Sequence, residues 1–420
     1  MLKKLLVSLL SALLCMTVAA KSRSNGNTEQ NNPDNNSITI DKNGDVFVSP
    51  LWFHISDEGT AEVIWNRSYK NMESVVIPSE IKIAGHVYPV TSIGYRAFDG
   101  CSGLTNVNIP SSVTSIGVWS FCGCGGLTSI EIPSSVTHID ISAFDDCGGL
   151  TSINVSIDNS NYSSEDGILY DKNKTTLVSI PEGKKGRVVL LSGVACIGEY
   201  ACRGCGNLTS IEIPSSVTSI EFGAFSGCRG LTSIDIPSSV TSIGRSVFMN
   251  CSGLTTIKIP SGVTSIGDHA FASCRGLTSI EILSSVISIG KRALSGCRGL
   301  TSIEIPSSVT SIGNSAFRDC SGLTNVNIPS SVTSIGDYAF RDCSGLTNVN
   351  ISSSVTSIGK FAFWGCRGLT SIKIPSSVTF IGNNAFVGCR NLEVIIDNSE
   401  KNISVGDDAF YRCKSVKFLK

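Results

Sequence analysis

Charge is scarce in this chain. Only 16% of its 420 residues are Asp, Glu, Lys or Arg, against about a quarter in ordinary soluble domains. The formal net charge is -1, so there is no global drive toward DNA, RNA or an anionic membrane. Histidine is scarcer still. His54, His86, His138 and His269 stand in unrelated contexts, with no H-E-x-x-H or other ligand spacing. A G-x-S-x-G elbow, a phosphate loop and a nucleophile beside an evident base are all missing. Acidic side chains recur at one exposed repeat position, so a carboxylate pair for glycoside hydrolysis is trivial to find and carries little weight. After residue 20 no stretch is apolar and long enough to cross a bilayer. These absences leave no catalytic residue, metal ligand or cofactor site to assign. They point to a surface rather than a pocket.

The first 36 residues stand apart. Lys3 and Lys4, an apolar run from Leu5 to Val18, and small residues at Ala19-Ala20 read as a secretory signal over 1–20. The alternatives are an uncleaved anchor, for which the run is short, and a lipid anchor through Cys15, which Leu14 fits poorly. Residues 21–36 are rich in Asn, Ser and Gly and read as a disordered linker. The expected location is therefore secreted or on the outer cell surface.

What the chain has in abundance is cysteine at one interval. Cys101, Cys124 and Cys147, then Cys205, Cys228, Cys251, Cys274, Cys297, Cys320, Cys343, Cys366 and Cys389, recur every 23 residues apart from one gap of 58. Each marks the same point in a unit close to C-x-G-L-T-S-I-x-I-P-S-S-V-T-S-I-G-x-x-A-F-x-x. A period in the twenties predicts a solenoid. In Leu277-Thr-Ser-Ile280-Glu-Ile282 alternate residues are apolar, as in a short parallel strand with one face buried. The proline that usually follows, as at Pro306, ends the ladder by withholding a donor. Val286 and Ile289 return to the core, and Gly290 is expected to turn a tight corner at positive φ, though not in every coil, since Asp140 and Glu221 replace that glycine. Ala316-Phe317 and its equivalents close the coil, and the phenylalanines predict an aromatic spine. The expected fold class is a β-rich, right-handed leucine-rich-repeat solenoid with a parallel strand ladder, led by the L-T-S-I-x-I segments.

Seventeen cysteines in a secreted chain ordinarily signal disulfides. Here each ladder cysteine sits in a recurring apolar frame, so a mostly reduced column of small buried thiols is expected. Cys122 with Cys124, and Cys202 with Cys205, make redox-like or zinc-like spacings. Each is an ordinary ladder cysteine with one accidental neighbour. A local disulfide involving Cys196 is the one exception left open.

Three stretches break the period. Residues 37–89 carry β-forming segments and a hairpin turn at Asp41–Gly44, and read as an N-terminal cap. The solenoid then runs over 90–413. The enlarged interval, about 155–190, predicts a hairpin, with strands at Ile168–Tyr170 and Leu177–Ile180. Residues 392–420 break the frame by one position, the last of them, 414–420, forming a C-terminal tail.

The outward positions are where the repeat varies. Asn108, Glu131, Asn154, Glu212, Asp235, Lys258, Glu281, Glu304, Asn327, Asn350 and Lys373 form a candidate binding face along the strands. Arg229, Arg275, Arg298, Arg367 and Arg390, just after ladder cysteines, form a candidate basic stripe suited to sulfated glycans or acidic proteins. Ordinary solubilising surface is the alternative for both.

The unit I-P-x-x-V-x-x-I-G-x-x-A-F-x-x-C-x-x-L resembles the BspA-like leucine-rich repeats over 90–413. The lead-in His86-Val-Tyr-Pro-Val90 and the insert at 161–177 resemble that family too. The resemblance implies a cell-surface or secreted adhesin, binding host extracellular matrix proteins or glycans, with no catalysis and no nucleic acid. The family has no shared catalytic residues to transfer. Two other readings stay open: a structural surface-layer component, and a secreted enzyme or enzyme inhibitor.

Overall fold

The structure is a computed structural model that describes residues 38–419. The expected signal, linker and Cys15 anchor lie outside the described residues. The chain forms two compact units that divide between Gly167 and Ile168.

The first unit opens with antiparallel strands at Thr39–Ile40, Val46–Val48, Leu51–Ile55 and Ala61–Val63. The expected hairpin turn is there. The Asp41 carboxylate accepts from the backbone N–H of Asn43 at 2.8 Å and of Asp45 at 2.9 Å, and Gly44 takes φ +86°. Pairing then becomes parallel: Ala61–Val63 runs beside the strand His86–Ile93, and Ser74–Val76 runs beside Asn106–Asn108. Buried Tyr69 stacks on Phe98 with centroids 5.6 Å apart. A shortened coil therefore precedes the first regular one, with Tyr69 in place of the phenylalanine and Met72 in place of the cysteine. Asn159 later plugs the turn after Val155. Its amide donates to Pro133 O and Val136 O, both at 2.9 Å, and its oxygen accepts from the N–H of Asn161 and Tyr162.

Both units use the same coil. Each coil is laced to its neighbours by backbone hydrogen bonds between facing residues. In the second unit Gly290 N–H donates back to Ile266 O at 2.8 Å, while Phe271 N–H donates forward to Ala293 O at 2.7 Å. Side chains add to the lacing: Thr278 Oγ1 donates to Thr255 O at 3.1 Å, and Ser308 Oγ to Val286 O at 2.6 Å. The apolar residues of the strands, the Val and Ile of the following turn, and the Ala-Phe pair are buried in coil after coil. Phe225, Phe248 and Phe271 stack at 5.4 and 5.3 Å with their planes within 8°. Phe317, Phe340, Phe363 and Phe386 do the same at 5.1–5.3 Å.

Two parallel ladders run along the second unit. The more continuous is the short Ser-Ile segment, seven strands from Ser265–Ile266 to Ser404–Val405. The L-T-S-I-x-I segments, expected to lead, pair in groups: Thr256–Lys258 with Ser279–Glu281, Asn325–Ile328 with Asn348–Ile351, and Ser371–Ile374 through Glu393–Ile396 to Ser415–Phe418. The corner glycine explains the difference. It follows the short segment directly, and the N–H of Gly267, Gly290, Gly313, Gly359 and Gly382 pins each of those coils to the one before at 2.8 Å. The residues expected as a tail from 414 thus carry the last strand of a ladder.

The corner glycine does not serve the purpose expected of it. Gly290 has no positive φ, and neither does Gly313. A Cβ at Gly313 would lie 2.6 Å from the carbonyl carbon of Gly290 and the nitrogen of Lys291. Glycine is there because the coils touch backbone to backbone. Positive φ falls two residues later, at Arg292 (+55°) and Ser315 (+61°), and again just before the cysteine, at Gly296 (+78°) and Asp319 (+61°).

The insertion behaves as expected. Ile168–Asp171 pairs antiparallel with Thr176–Ser179, and the Asp171 carboxylate accepts from the N–H of Thr175 at 2.7 Å and Thr176 at 2.8 Å. Thr176–Ser179 then pairs parallel with Cys196–Ile197, which returns the hairpin to the ladder.

A glycine contact of this kind makes a sharp prediction. Gly313→Ala should destabilise by about 1–3 kcal/mol, the usual cost of overpacking. Gly148→Ala, where a Cβ meets nothing within 4 Å, should stay within about 0.5 kcal/mol of wild type. Chemical denaturation of both variants checks this, and equal effects would refute the close-contact account.

Candidate functional site

The cysteines come first, because they are the only reactive groups in bulk. The described cysteines are thiols. Each ladder thiol from Cys124 onward has a partner that the sequence did not reveal: it donates to the carbonyl of the residue at the aromatic-column position of the preceding coil. Cys251 Sγ lies 3.0 Å from Phe225 O, Cys274 3.0 Å from Phe248 O, and Cys366 3.1 Å from Phe340 O. Burial disfavours the thiolate. It pushes Cys101 up to about 11 and Cys320 to about 12, and it raises Cys274, Cys297 and Cys343 strongly. The redox-like pairs do not assemble. Cys122 is pushed up to about 12 by burial and by the carboxylates of Asp99, Asp146 and Asp145, while Cys124 donates to Phe98 O. Nor does Cys196 form the local disulfide left open above. It sits in the Ser-Ile ladder with its sulfur 3.9 Å from Glu221 Oε1, while Cys202 occupies the aromatic column and Cys205 the thiol column.

The histidines stay apart. His54 pairs with Asp45 at 2.8 Å and His138 with Asp140 at 3.0 Å. Burial and the charges of Arg292 and Arg245 lower the pKa of His269. Among the described residues no group of three His, Cys, Asp or Glu could hold a metal ion, and no helix is long and apolar enough to cross a membrane.

Most of the candidate strand face is exposed. In the first unit Asn108 and Glu131 are exposed and Asn154 is half-buried, its amide donating to Glu131 at 2.7 Å. In the second unit Glu212, Asp235, Lys258, Glu281, Glu304, Asn327, Asn350 and Lys373 are all exposed. Ion pairs join some of them to neighbouring coils: Glu212 to Arg187, Lys258 to Glu281 at 3.4 Å, and Lys373 to Asp397 at 3.9 Å. Exposed pairs of this kind contribute little stability. Arg229, Arg275, Arg298, Arg367 and Arg390 are likewise exposed, on another turn of the coil.

A third surface went unnoticed in the sequence. At the corner between the glycine and the Ala-Phe pair, aromatic rings and arginines meet. Tyr95 and Trp119 lie 5.8 Å apart with Arg96 over both. In the second unit Tyr200 and Phe222 meet edge to face at 4.9 Å, with Arg203 over the first and Arg245 over the second. Tyr338 and Phe361 stack at 4.9 Å, and Arg341 lies over Tyr338 and Trp364. The only sequence signal was aromatic residues at outward positions that other coils fill with residues as varied as Ser, Asn, Asp, Lys and Arg.

The model of the BspA-type leucine-rich repeat region matches residues 66–185, 195–324 and 316–420. The chain belongs to this family. The match begins at residue 66, where the shortened coil built on Tyr69 begins. Among solved structures, a leucine-rich repeat protein from Bacteroides ovatus is 29% identical, with a TM-score of 0.59 over 89% of this chain and 99% of its own. A leucine-rich cell surface protein from Faecalibacterium prausnitzii is 25% identical over 88% of this chain and 97% of its own, with a TM-score of 0.44. No curated protein matches the sequence.

The thiol column of this BspA-type chain sets its alkaline limit. Unfolded thiols ionise near 9, whereas folded Cys101, Cys122, Cys320 and Cys413 hold their protons to about 11 or 12. Their contribution to stability is complete below pH 9 and is lost as pH rises toward 12. The melting temperature should therefore fall steadily above pH 9. Iodoacetamide at pH 8 should leave the ladder cysteines of the folded chain unlabelled, as peptide mapping would show. Rapid labelling of Cys274 or Cys297 without unfolding would contradict the burial argument.

Proposed function

We propose that the chain is a non-catalytic binding scaffold, secreted or displayed on the outer cell surface. It recognises extracellular matrix proteins or glycans through the outward positions of its coils. One observation carries this reading: the buried frame repeats almost unchanged, while the exposed strand positions change identity and charge from coil to coil. A frame that constant needs only polarity at those positions, so their variation is free to encode a partner. Solenoids bind large molecules across such extended faces.

The arginine stripe favours an anionic component in the ligand. Arg275 and Arg298 stand one coil apart, as do Arg367 and Arg390, so like charges are mounted on backbone about one strand spacing, roughly 4.8 Å, apart. That repulsion costs stability, and a sulfated or acidic partner relieves it.

The mature chain should bind saturably to some member of a panel of immobilised matrix proteins and mucin glycans. Glu281→Lys with Glu304→Lys, or alanine at Arg275, Arg298, Arg367 and Arg390, should weaken that binding on the order of tenfold, about 1.4 kcal/mol, with the circular dichroism spectrum unchanged. Binding indifferent to both sets would remove the two stripes as recognition surfaces. A hydrolytic activity that survives purification and is abolished by one substitution would overturn the non-catalytic reading.

A further inference from the structure

Two of the corner clusters share one construction. In the first unit the Arg96 guanidinium lies 5.4 Å from the Tyr95 ring centroid and 4.7 Å from that of Trp119, with Nε 3.7 Å from Asp99 Oδ2. In the second unit the Arg341 guanidinium lies 5.8 Å from Tyr338 and 4.5 Å from Trp364, with Nε 3.2 Å from Asp342 Oδ2. Each sets a guanidinium over a tyrosine and a tryptophan, with a carboxylate on the arginine; Tyr95 and Trp119 also meet each other at 5.8 Å, and Tyr338 also stacks on Phe361 at 4.9 Å.

Repeat duplication does not account for the likeness, because no member occupies the same place in the repeat. Tyr95 is the first residue after the corner glycine, and Tyr338 the second. Arg96 is the second after the glycine, and Arg341 follows the spine phenylalanine. Trp119 is the second after the glycine, and Trp364 follows the phenylalanine. Asp99 follows the phenylalanine directly, and Asp342 comes one residue later. The same four side chains have been assembled twice from different positions. Folding does not require them. Ser142, Ser246 and Ser315 stand where Trp119 stands, and Ser226 and Ser295 stand where Trp364 stands. The aromatic choice also carries a conformational cost. Trp119 (+56°), Arg96 (+56°) and Tyr338 (+59°) hold left-handed φ values, where bulky side chains are disfavoured and a functional reason is to be sought. Tyr95 remains 59% exposed.

We infer that these two clusters are binding sites for neutral pyranose units of a glycan chain. The chemistry selects the ligand. Aromatic rings offer an apolar face to the C–H face of a sugar. Beside each pair of rings stand a guanidinium that only donates and a carboxylate that only accepts. Adjacent sugar hydroxyls do both. Because each arginine is matched by its carboxylate, the cluster has no net charge with which to select a polyanion or a polycation. The inference rests on the reading of the chain as a displayed binding scaffold. It names a site separate from the strand face and from the arginine stripe.

Two of the chain's four tryptophans are in the clusters, so binding has its own optical signal. The mature full-length chain is titrated with hexasaccharides of glucose, mannose, galactose, xylose and N-acetylglucosamine, with heparin as the anionic comparison. At least one neutral hexasaccharide should change tryptophan emission saturably. Trp119→Ser and Trp364→Ser should each remove about half of that change, and the double variant should lose at least about tenfold in affinity by calorimetry. Serine is native at both places elsewhere in the repeat, so an unchanged melting temperature is expected and certifies the fold. Absence of binding to all five neutral sugars would overturn the proposal. So would wild-type affinity in the folded double variant, or displacement of the sugar by heparin in a salt-dependent manner. Alanine at the stripe arginines should leave sugar binding intact. The stripe variants are read on matrix proteins and the tryptophan variants on neutral sugars, so failure of one reading is distinguishable from failure of the other.

Discussion

Backbone hydrogen bonds between facing residues of successive coils are the constraint on which everything else depends. They hold each coil about one strand spacing, roughly 4.8 Å, from the next. At that separation each position in the unit meets its own copy, and only some side chains can do so. The corner admits glycine because a Cβ at Gly313 or Gly359 would stand 2.6 Å from the backbone below. The glycine after the cysteine obeys the same limit, since a Cβ at Gly253 would sit 2.2 Å from Arg229 O. The interior of the turn takes phenylalanine because flat rings stack at 5.1–5.4 Å with nearly parallel planes, although Leu294 and Cys202 fill the same column without a ring. The repeat sequence is thus a list of residues that tolerate their own image one strand away.

The thiol column follows from the same geometry. A residue beside the spine must be small, apolar enough to bury completely, and able to answer a carbonyl that faces it from the coil before. Serine would bury a stronger polar group, and alanine would leave the carbonyl with only its turn hydrogen bond. Cysteine is weakly polar and reaches that oxygen at 3.0–3.2 Å in Cys251, Cys320 and Cys389. Burial then suppresses the thiolate through which disulfide exchange proceeds. A cysteine-rich chain can therefore cross an oxidising compartment without its ladder becoming a disulfide framework.

Much of this was legible in the sequence, and the limits of legibility have physical causes. Period, buried columns and the hairpin at Ile168–Ser179 could be read because each rests on a pattern of apolar residues or turn chemistry. The purpose of Gly290 could not. A glycine required for closeness and a glycine required for positive φ look alike in one dimension, and only the distance to the next coil separates them. The coil built on Tyr69 was hidden because it keeps the packing while changing the letters, with a buried tyrosine for phenylalanine and methionine for cysteine. The strand face was visible because its members share one repeat position. The Tyr–Arg–Trp clusters were not, because their members are drawn from different positions of different coils and meet only through stacking.

That contrast also bears on how a repeat protein encodes recognition. In a globular domain a surface residue has no control, and its identity says little. Here every outward position has a dozen internal controls that experience the same backbone, the same neighbours and the same solvent. With Ser142 in the coil beside Trp119 and Ser315 in the coil beside Tyr338, a bulky ring at left-handed φ is not what stacking demands, for the frame tolerates the smaller residue in the adjacent coil. Positions bound by the stacking constraint explain the fold and say nothing about partners. Positions that depart from it, against a conformational cost, carry the information about what the surface meets. The two kinds of position are separable in this chain because the buried frame is so nearly uniform, and that uniformity makes two four-residue clusters stand out from several hundred residues of repeated surface.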